Sequence, residues 1–149
     1  LARSELPPAN LEIEVTESTM MKDPEAMIRS LSALKRLGVG LALDDFGTGY
    51  SSLVYLQRFP FDKLKIDRAF IVDVNTSANH ATMTHTISTM AKNLDMGVIA
   101  EGVETGDQLA FLKQCGCKEA QGYLFSRPVT VGQFTELLPK YNQMTPCLH

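Results

Sequence analysis

The sequence has little positive charge, because 14 lysines and arginines face 17 aspartates and glutamates and leave a formal net charge of −3. Nucleic acids and anionic membranes attract proteins that carry a basic field, which this chain lacks. No apolar run approaches the roughly 20 residues of a membrane-spanning helix, and no signal-peptide pattern opens the chain. The sequence therefore predicts a soluble, cytoplasmic protein that has no membrane span and does not bind DNA.

Cysteine and histidine are also scarce, with three residues of each. The cysteines are Cys115, Cys117 and Cys147. Their number is odd, their spacing fits no zinc motif, and the histidines do not cluster with them. This pattern argues against a zinc site, and it favours reduced thiols, as in a cytosolic protein, over a structural disulfide.

The composition, 44% hydrophobic and 21% charged, is that of a single globular domain. Short apolar runs alternate with stretches of helical periodicity, which is typical of α/β proteins with a parallel sheet. Strands are predicted at residues 11–15, 41–45, 63–67, 98–100 and 120–124. Helices are predicted to begin near residues 23, 51, 77, 105 and 130, the second of them a short piece that ends near residue 58 and the last two with capping boxes. The polar residues from Asn142 onward are expected to form a mobile tail.

Polar residues stand at or just after the carboxyl end of every predicted strand. They are Glu17, Asp44, Asp45, Lys65, Asp67, Glu101 and Gln121. A barrel of βα units gathers these ends on one face, whereas an open doubly wound sheet would concentrate ligands at one switch point. We favour the barrel. Because a full barrel takes about 250 residues and eight strands, we expect a partial (β/α)8 TIM-type barrel of about five βα units without its N-terminal strands.

The adjacent carboxylates of Asp44 and Asp45 repel each other unless a cation lies beside them. Ligand sets made of oxygen alone favour Mg²⁺ or Mn²⁺ over zinc. Taken alone, such a pair is more often a helix N-cap followed by a solvated turn than a metal site, and it is the polar residues at the other strand ends that favour the metal. Lys65, which follows on the next strand, also has two interpretations: a charge that stabilises a phosphoryl transition state, or a structural ion pair.

Five motifs, in order, make the chain resemble the C-terminal part of an EAL domain, the bacterial phosphodiesterase domain that opens cyclic di-GMP. They occupy residues 11–18, 44–53, 65–68, 100–105 and 121–128, so the resemblance covers nearly the whole chain. It implies hydrolysis of cyclic di-GMP to linear pGpG at a site with two metal ions, Mg²⁺ or Mn²⁺. Two such ions bind phosphoryl oxygens and lower the pKa of a shared water.

The resemblance also implies roles at matching positions. Glu14, Asp44 and Asp45 would bind metal, with Asp44 shared by both ions. Lys65 would orient the attacking water and Glu101 would hold or deprotonate it. From the residues alone, Glu101 is equally well an inert hydrogen-bond acceptor, and Glu14 could be an inward polar residue paired with a lysine.

Four further residues are assigned supporting roles. Gln121 would lie near the metal-bound water or the substrate. Glu17 would brace the loop after Asp45, and Glu104 and Asp67 would act in a similar way beside the substrate or the ligands.

The Glu-Ala-Leu segment that names the family is absent from the sequence, together with the strand that carries a metal-binding asparagine. A hard cation held by fewer protein oxygens binds more weakly. We therefore expect this chain to be inactive or weakly active alone, and the alternative is a non-catalytic module that binds cyclic di-GMP or another protein. Because the strand at 11–15 would lose a neighbour, its open edge is expected to drive self-association or exchange of elements.

Overall fold

The computed structural model describes residues 5–47 and 53–144. Its centre is one sheet of five parallel strands whose spatial order follows the chain. The strands are β1 (Glu12–Thr16), β2 (Gly40–Phe46), β3 (Lys63–Ile66), β4 (Gly97–Ala100) and β5 (Glu119–Ala120). The predicted α/β class with a parallel sheet is confirmed.

Helices follow each strand. They are α1 (Glu17–Met20), α2 (Pro24–Arg36), α3 (Leu53–Leu56), α4 (Arg68–Ile71), α5 (Ala78–Asn93), α6 (Gly106–Gln114) and α7 (Val131–Met144), with a 3-10 turn at Pro8–Asn10. The capping box predicted for α6 is present, because Thr105 and Gln108 bond each other's backbone amides. Within the described ranges, none of the helices is long and apolar enough to cross a membrane.

Three predicted boundaries differ from the structure. The last strand ends at Ala120 instead of residue 124, because the chain turns at Gly122 and the amide of Leu124 donates to the Val103 carbonyl beyond β4. Helix α3 covers a shorter stretch than the predicted 51–58, of which residues 51 and 52 lie outside the described residues. Helix α7 continues to Met144, past the position where the tail was expected to begin.

The core lies between the sheet and the helices. Buried leucines of the central strands, such as Leu43 and Leu64, belong to one apolar cluster with Leu31 of α2, Ile87 of α5 and Leu112 of α6. Since side chains alternate along a strand, the residues between these leucines point to the opposite face. We call this opposite face the inner face, and its charged residues are Glu12, Glu14, Asp44, Lys63, Lys65 and Glu119.

Two of the cysteines lie at the end of α6. Cys115 and Cys117 are buried and unpaired with each other, and burial raises the pKa of both thiols. A buried thiol with a raised pKa holds little reactive thiolate. Both are therefore structural residues of the core, and Cys147 lies outside the described residues.

Candidate functional site

Lys65 stands at the centre of the predicted site. Its side chain is only 3% exposed, and its Nζ lies 2.7 Å from Glu14 Oε1, 2.7 Å from Glu101 Oε1 and 3.1 Å from Asp44 Oδ1. These three carboxylates come from β1, β2 and the residue after β4. The rolled sheet thus brings four of the predicted residues together on its inner face.

The charge of Lys65 is fixed by this environment. Burial by itself lowers the pKa of Lys65, but its close contacts with the carboxylates of Glu101, Glu14 and Asp44 outweigh burial, so the pKa lies above its ordinary value. A lysine with a raised pKa stays protonated at neutral pH. Lys65 therefore acts as a positioned cation and a hydrogen-bond donor, and it is not a general base.

A bulge in β2 explains how two adjacent aspartates reach the same site. Leu43 pairs with Leu64 and Phe46 pairs with Ile66, so two aspartates, Asp44 and Asp45, oppose the single residue 65. Regular strand geometry would turn neighbouring side chains to opposite faces, and an extra residue breaks that alternation. At the bulge Asp45 has φ +55°, a left-handed conformation that aspartate tolerates better than most residues.

Asp44, Asp45 and Glu101 form what we call the carboxylate trio. Each offers one carboxylate oxygen, and these oxygens all lie within 4.8 Å of one another. The buried Oδ1 of Asp44 is at ion-pair distance from Lys65 but accepts no well-aligned hydrogen bond from the described residues. Oxygen donors at this separation, with one atom left unsatisfied, suit a hard divalent cation.

The raised pKa values of Asp45 and Glu101 agree with a cation site. Burial raises the pKa of Asp45, and the charges of Asp44 and Asp67 raise it further. Burial also raises the pKa of Glu101, and this effect outweighs the stabilising contact with Lys65. Raised carboxylate pKa values mean that the ionised forms lack sufficient positive charge nearby, which a divalent cation would supply.

The positions of Glu14 and Glu101 differ from their expected roles, in which Glu14 binds metal and Glu101 acts on the attacking water. Glu101 belongs to the trio, although the sequence assigns it to the attacking water. Glu14 instead contacts Lys65, and its role as a metal ligand stays a prediction. Gln121 donates from Nε2 to Glu101 Oε1 at 2.7 Å, so that oxygen receives two donors.

Glu17 and Asp67 fix the segments that follow the strands. Glu17 is buried, and its Oε2 accepts the amide of Gly47 at 3.1 Å, two residues after Asp45. Asp67 caps α4 by accepting the amide of Ala69 at 2.7 Å. Both contacts limit the movement of the backbone that carries the trio, since each fixes a residue next to the site.

Glu104 holds an arginine at the rim of the site. Its Oε1 accepts from Arg68 at 2.8 Å, and Gly102 leaves the space that the arginine stem occupies. A Cβ at Gly102 would lie 2.3 Å from Arg68 Cγ, and Gly102 also has a φ of +68°. Arg68 lines the same cavity as Glu101 and Gln121, so Glu104 sets the position of a cation near the trio.

This cavity, of about 840 Å³, extends from Glu101 of the trio to an apolar groove along α7. Tyr123, Phe125 and Phe134 line the groove, and their side chains are 48%, 37% and 53% exposed. Large apolar patches on soluble domains usually have a partner. The site is therefore open on the side of β5 and α7.

Gly47 is the loop residue whose conformation the site requires. Its φ is +97°, and a Cβ there would lie 2.8 Å from the Phe70 ring. We expect Gly47→Ala to lower the free energy of unfolding by about 1–3 kcal/mol, measured by urea titration. Gly106→Ala is the matched control, because nothing lies within 4 Å of its Cβ, and it should leave stability unchanged or raise it. Equal stability of both variants would contradict the strained conformation.

The chain is similar to known proteins that carry an EAL domain. The family model described as "EAL domain" matches residues 1–128. Cyclic di-GMP phosphodiesterase NbdA of Pseudomonas aeruginosa is 50% identical over 131 residues, which are 88% of this chain and 17% of NbdA. The bifunctional diguanylate cyclase/cyclic di-GMP phosphodiesterase MucR of the same organism is 45% identical over 89% of this chain and 19% of its own length. The chain thus spans about a fifth of these curated relatives.

Solved structures give the same family. The PaMucR phosphodiesterase in complex with c-di-GMP superposes with a TM-score of 0.87 at 45% identity, covering 90% of this chain and 54% of that one. Klebsiella pneumoniae BlrP1 with manganese and c-di-GMP superposes with a TM-score of 0.79 at 38% identity, covering 86% and 33%. EAL domains are TIM-type barrels, so the predicted partial barrel is confirmed. Its matched motifs, its fold and its relatives together make this chain a member of the EAL domain family.

Proposed function

We propose that the chain is part of a metal-dependent phosphodiesterase that hydrolyses cyclic di-GMP to linear pGpG. The observation that carries this proposal is the carboxylate trio beside the buried Lys65 on the inner face of the sheet. Relatives named as cyclic di-GMP phosphodiesterases supply the substrate. In the reaction, the oxygen of water bonds to phosphorus, one P–O ester bond of the ring breaks, and the leaving oxygen takes up a proton.

Asp44, Asp45 and Glu101 would hold a divalent cation, Mg²⁺ or Mn²⁺, and Glu14 would join them in a complete domain with two ions. A bound cation of this kind binds phosphoryl oxygens and lowers the pKa of water. Manganese in the BlrP1 structure supports a divalent cation for this family. The oxygen-only trio supports it for this chain.

Lys65 and Glu101 have complementary roles in this proposal. Lys65 donates hydrogen bonds from a permanently charged ammonium group, which stabilises negative charge that builds up on the phosphoryl oxygens. Glu101 would hold the attacking water or take up its proton, as a carboxylate next to the cation and within reach of the water can do. Gln121 holds Glu101 through its 2.7 Å bond and keeps one carboxylate oxygen oriented.

Two measurements test the function together. The chain is incubated with cyclic di-GMP and Mg²⁺ or Mn²⁺, and pGpG is quantified by chromatography. Calorimetry measures binding of the dinucleotide with Ca²⁺ and with a chelator. Slow but metal-dependent formation of pGpG supports the phosphodiesterase. Tight binding that needs no metal and gives no product would overturn it in favour of a binding module.

We also propose that the 149-residue chain self-associates through the outer edge of β1. Among the described strands, β1 pairs with β2 alone, so its other edge presents unpaired amides and carbonyls. Such an edge pairs readily with another strand. Size-exclusion chromatography with light scattering is expected to give about twice the chain mass of 16.4 kDa. A compact monomer at every concentration would contradict this proposal.

A further inference from the structure

Lys63 joins two strands that are not neighbours in the sheet. Its Nζ lies 3.1 Å from Glu12 Oε2 on β1 and 2.9 Å from Glu119 Oε2 on β5. Each partner strand is two positions away from β3, or about 10 Å in a flat sheet. Both glutamates meet one ammonium group because the inner face is concave, as in a barrel layer built from alternate strands.

Small residues leave room for these two contacts. The intervening strands β2 and β4 contribute Gly40 and Gly97 at the positions that pair with Glu12 and Lys63. A Cβ at Gly97 would touch Lys63 Cγ at 3.4 Å, and one at Gly40 would touch Glu12 Cγ at 3.6 Å. The absence of these side chains allows the ion pairs to cross both strands.

The ion pairs lie directly below the functional site. Each of the three residues precedes a site residue by two positions, and strand residues two apart share a face. The pairs are Glu12 with Glu14, Lys63 with Lys65, and Glu119 with Gln121. The two members of each pair share a short piece of strand backbone. A contact that fixes the first member therefore also restricts the site residue two positions later.

The effect is greatest at β5, which has only two residues. It is paired to β4 at Glu119 and Ala120, and the next amide, that of Gln121, donates to Ala100 at 2.9 Å. The contact with Lys63 anchors the first residue of this short strand. Gln121 in turn donates to Glu101, so movement of β5 would disturb a member of the trio.

We infer that Lys63 is a positioning residue, which ties β1 to β5 through Glu12 and Glu119 and thereby holds Glu14 and Gln121 in place. Its consequence for metal binding rests on the proposed function, whereas the tie between the strands does not. An ion pair between a solvent-exposed lysine and a carboxylate contributes little to stability. Lys63 differs because its side chain is only 29% exposed and has carboxylates on two strands.

Lys63→Met in the full chain tests this inference, because methionine keeps an apolar stem and removes the charge. Lys35→Met is the control for loss of a lysine charge, since Lys35 pairs with Asp62 rather than with Glu12 or Glu119 and its side chain is more exposed, at 40%. Without metal, hydrogen exchange at the Gln121 amide is expected to accelerate at least about fivefold in Lys63→Met and to stay unchanged in Lys35→Met. Lys63→Arg, which keeps the charge, should restore slow exchange.

The second readout is Mn²⁺ affinity, measured by calorimetry. Lys63→Met is expected to weaken it about tenfold, as loss of a residue supporting a metal ligand commonly does. Unchanged exchange at Gln121, or equal acceleration in the Lys35→Met control, would overturn the inference. Accelerated exchange in Lys63→Met, with no Mn²⁺ binding by the unmodified chain, would overturn the proposed function and leave the tie between β1 and β5 intact.

Discussion

Joining the N-terminal segment of the PaMucR phosphodiesterase domain to Leu1 is expected to raise hydrolysis of cyclic di-GMP at least about a hundredfold over the 149-residue chain, because ligands displaced by as little as 1 Å cost that much. This chain covers 54% of the PaMucR chain, which therefore supplies the remaining part of a homologous barrel. The described residues contribute one carboxylate trio, and a cation held by few ligands is positioned poorly.

The open groove gives a second reason for this increase. Val131, Phe134 and Leu138 of α7 are 83%, 53% and 44% exposed and lie beside the cavity that reaches Glu101. The joined segment would cover these residues and pair with β1, which would exclude water from the site and strengthen its electrostatic interactions.

The measurement is the initial rate of pGpG formation by the joined protein and by the chain, at equal concentration and saturating Mn²⁺. The PaMucR segment alone is the control, and it should be inactive because it lacks the residues equivalent to the trio. Thermal unfolding of the joined protein should be cooperative, which shows that the barrel has closed. A cooperative protein no faster than the chain would show that the site is not limited by its missing part.

The order of elements was predictable because local signals agreed with one another. The α6 capping box of Thr105 and Gln108 and the proline after Asp23 mark helix starts whose hydrogen bonds form as expected. The strand at 120–124 was predicted too long for a tertiary reason. Gly122 packs against the Val103 backbone, with a φ of +154°, and directs the chain out of the sheet. No local signal at Tyr123 or Leu124 reports that contact.

The residues of the candidate site could be proposed from the sequence, but their spatial arrangement could not. Asp44 and Asp45 stand next to each other, and ordinary strand alternation would send one of them into the core. That conflict in the sequence was a hint of the bulge. The bulge opposite Lys65 itself is visible in the pairing of β2 with β3, which the sequence of one strand does not give. Likewise, the shared partner of Glu12 and Glu119 depends on the curvature of the sheet, to which all five strands contribute.

Asp44→Asn is expected to lower Mn²⁺-dependent hydrolysis by the joined protein at least about a thousandfold, because Asp44 is the ligand proposed to combine metal binding with charge stabilisation. Asparagine keeps the size of the side chain and one oxygen, so the change removes charge without leaving a cavity. Asp44 is the trio member whose buried Oδ1 has an ion-pair contact with Lys65 but accepts no well-aligned hydrogen bond from the described residues, so it can still bind a cation.

The same substitution should affect the stability of the metal-free chain far less. It relieves repulsion with Asp45 while removing one of three carboxylates from Lys65, so the two effects oppose each other and we expect a change within about 1 kcal/mol.

Asp23→Asn is the control, because asparagine caps a helix as well as aspartate and Asp23 caps α2 away from the site. Of the two variants, Asp44→Asn removes negative charge from the trio and Asp23→Asn does not. If Asp44→Asn loses hydrolysis and Mn²⁺ binding while Asp23→Asn keeps both, the trio is the metal site. Hydrolysis within tenfold of the unmodified protein would instead require other ligands for the metal.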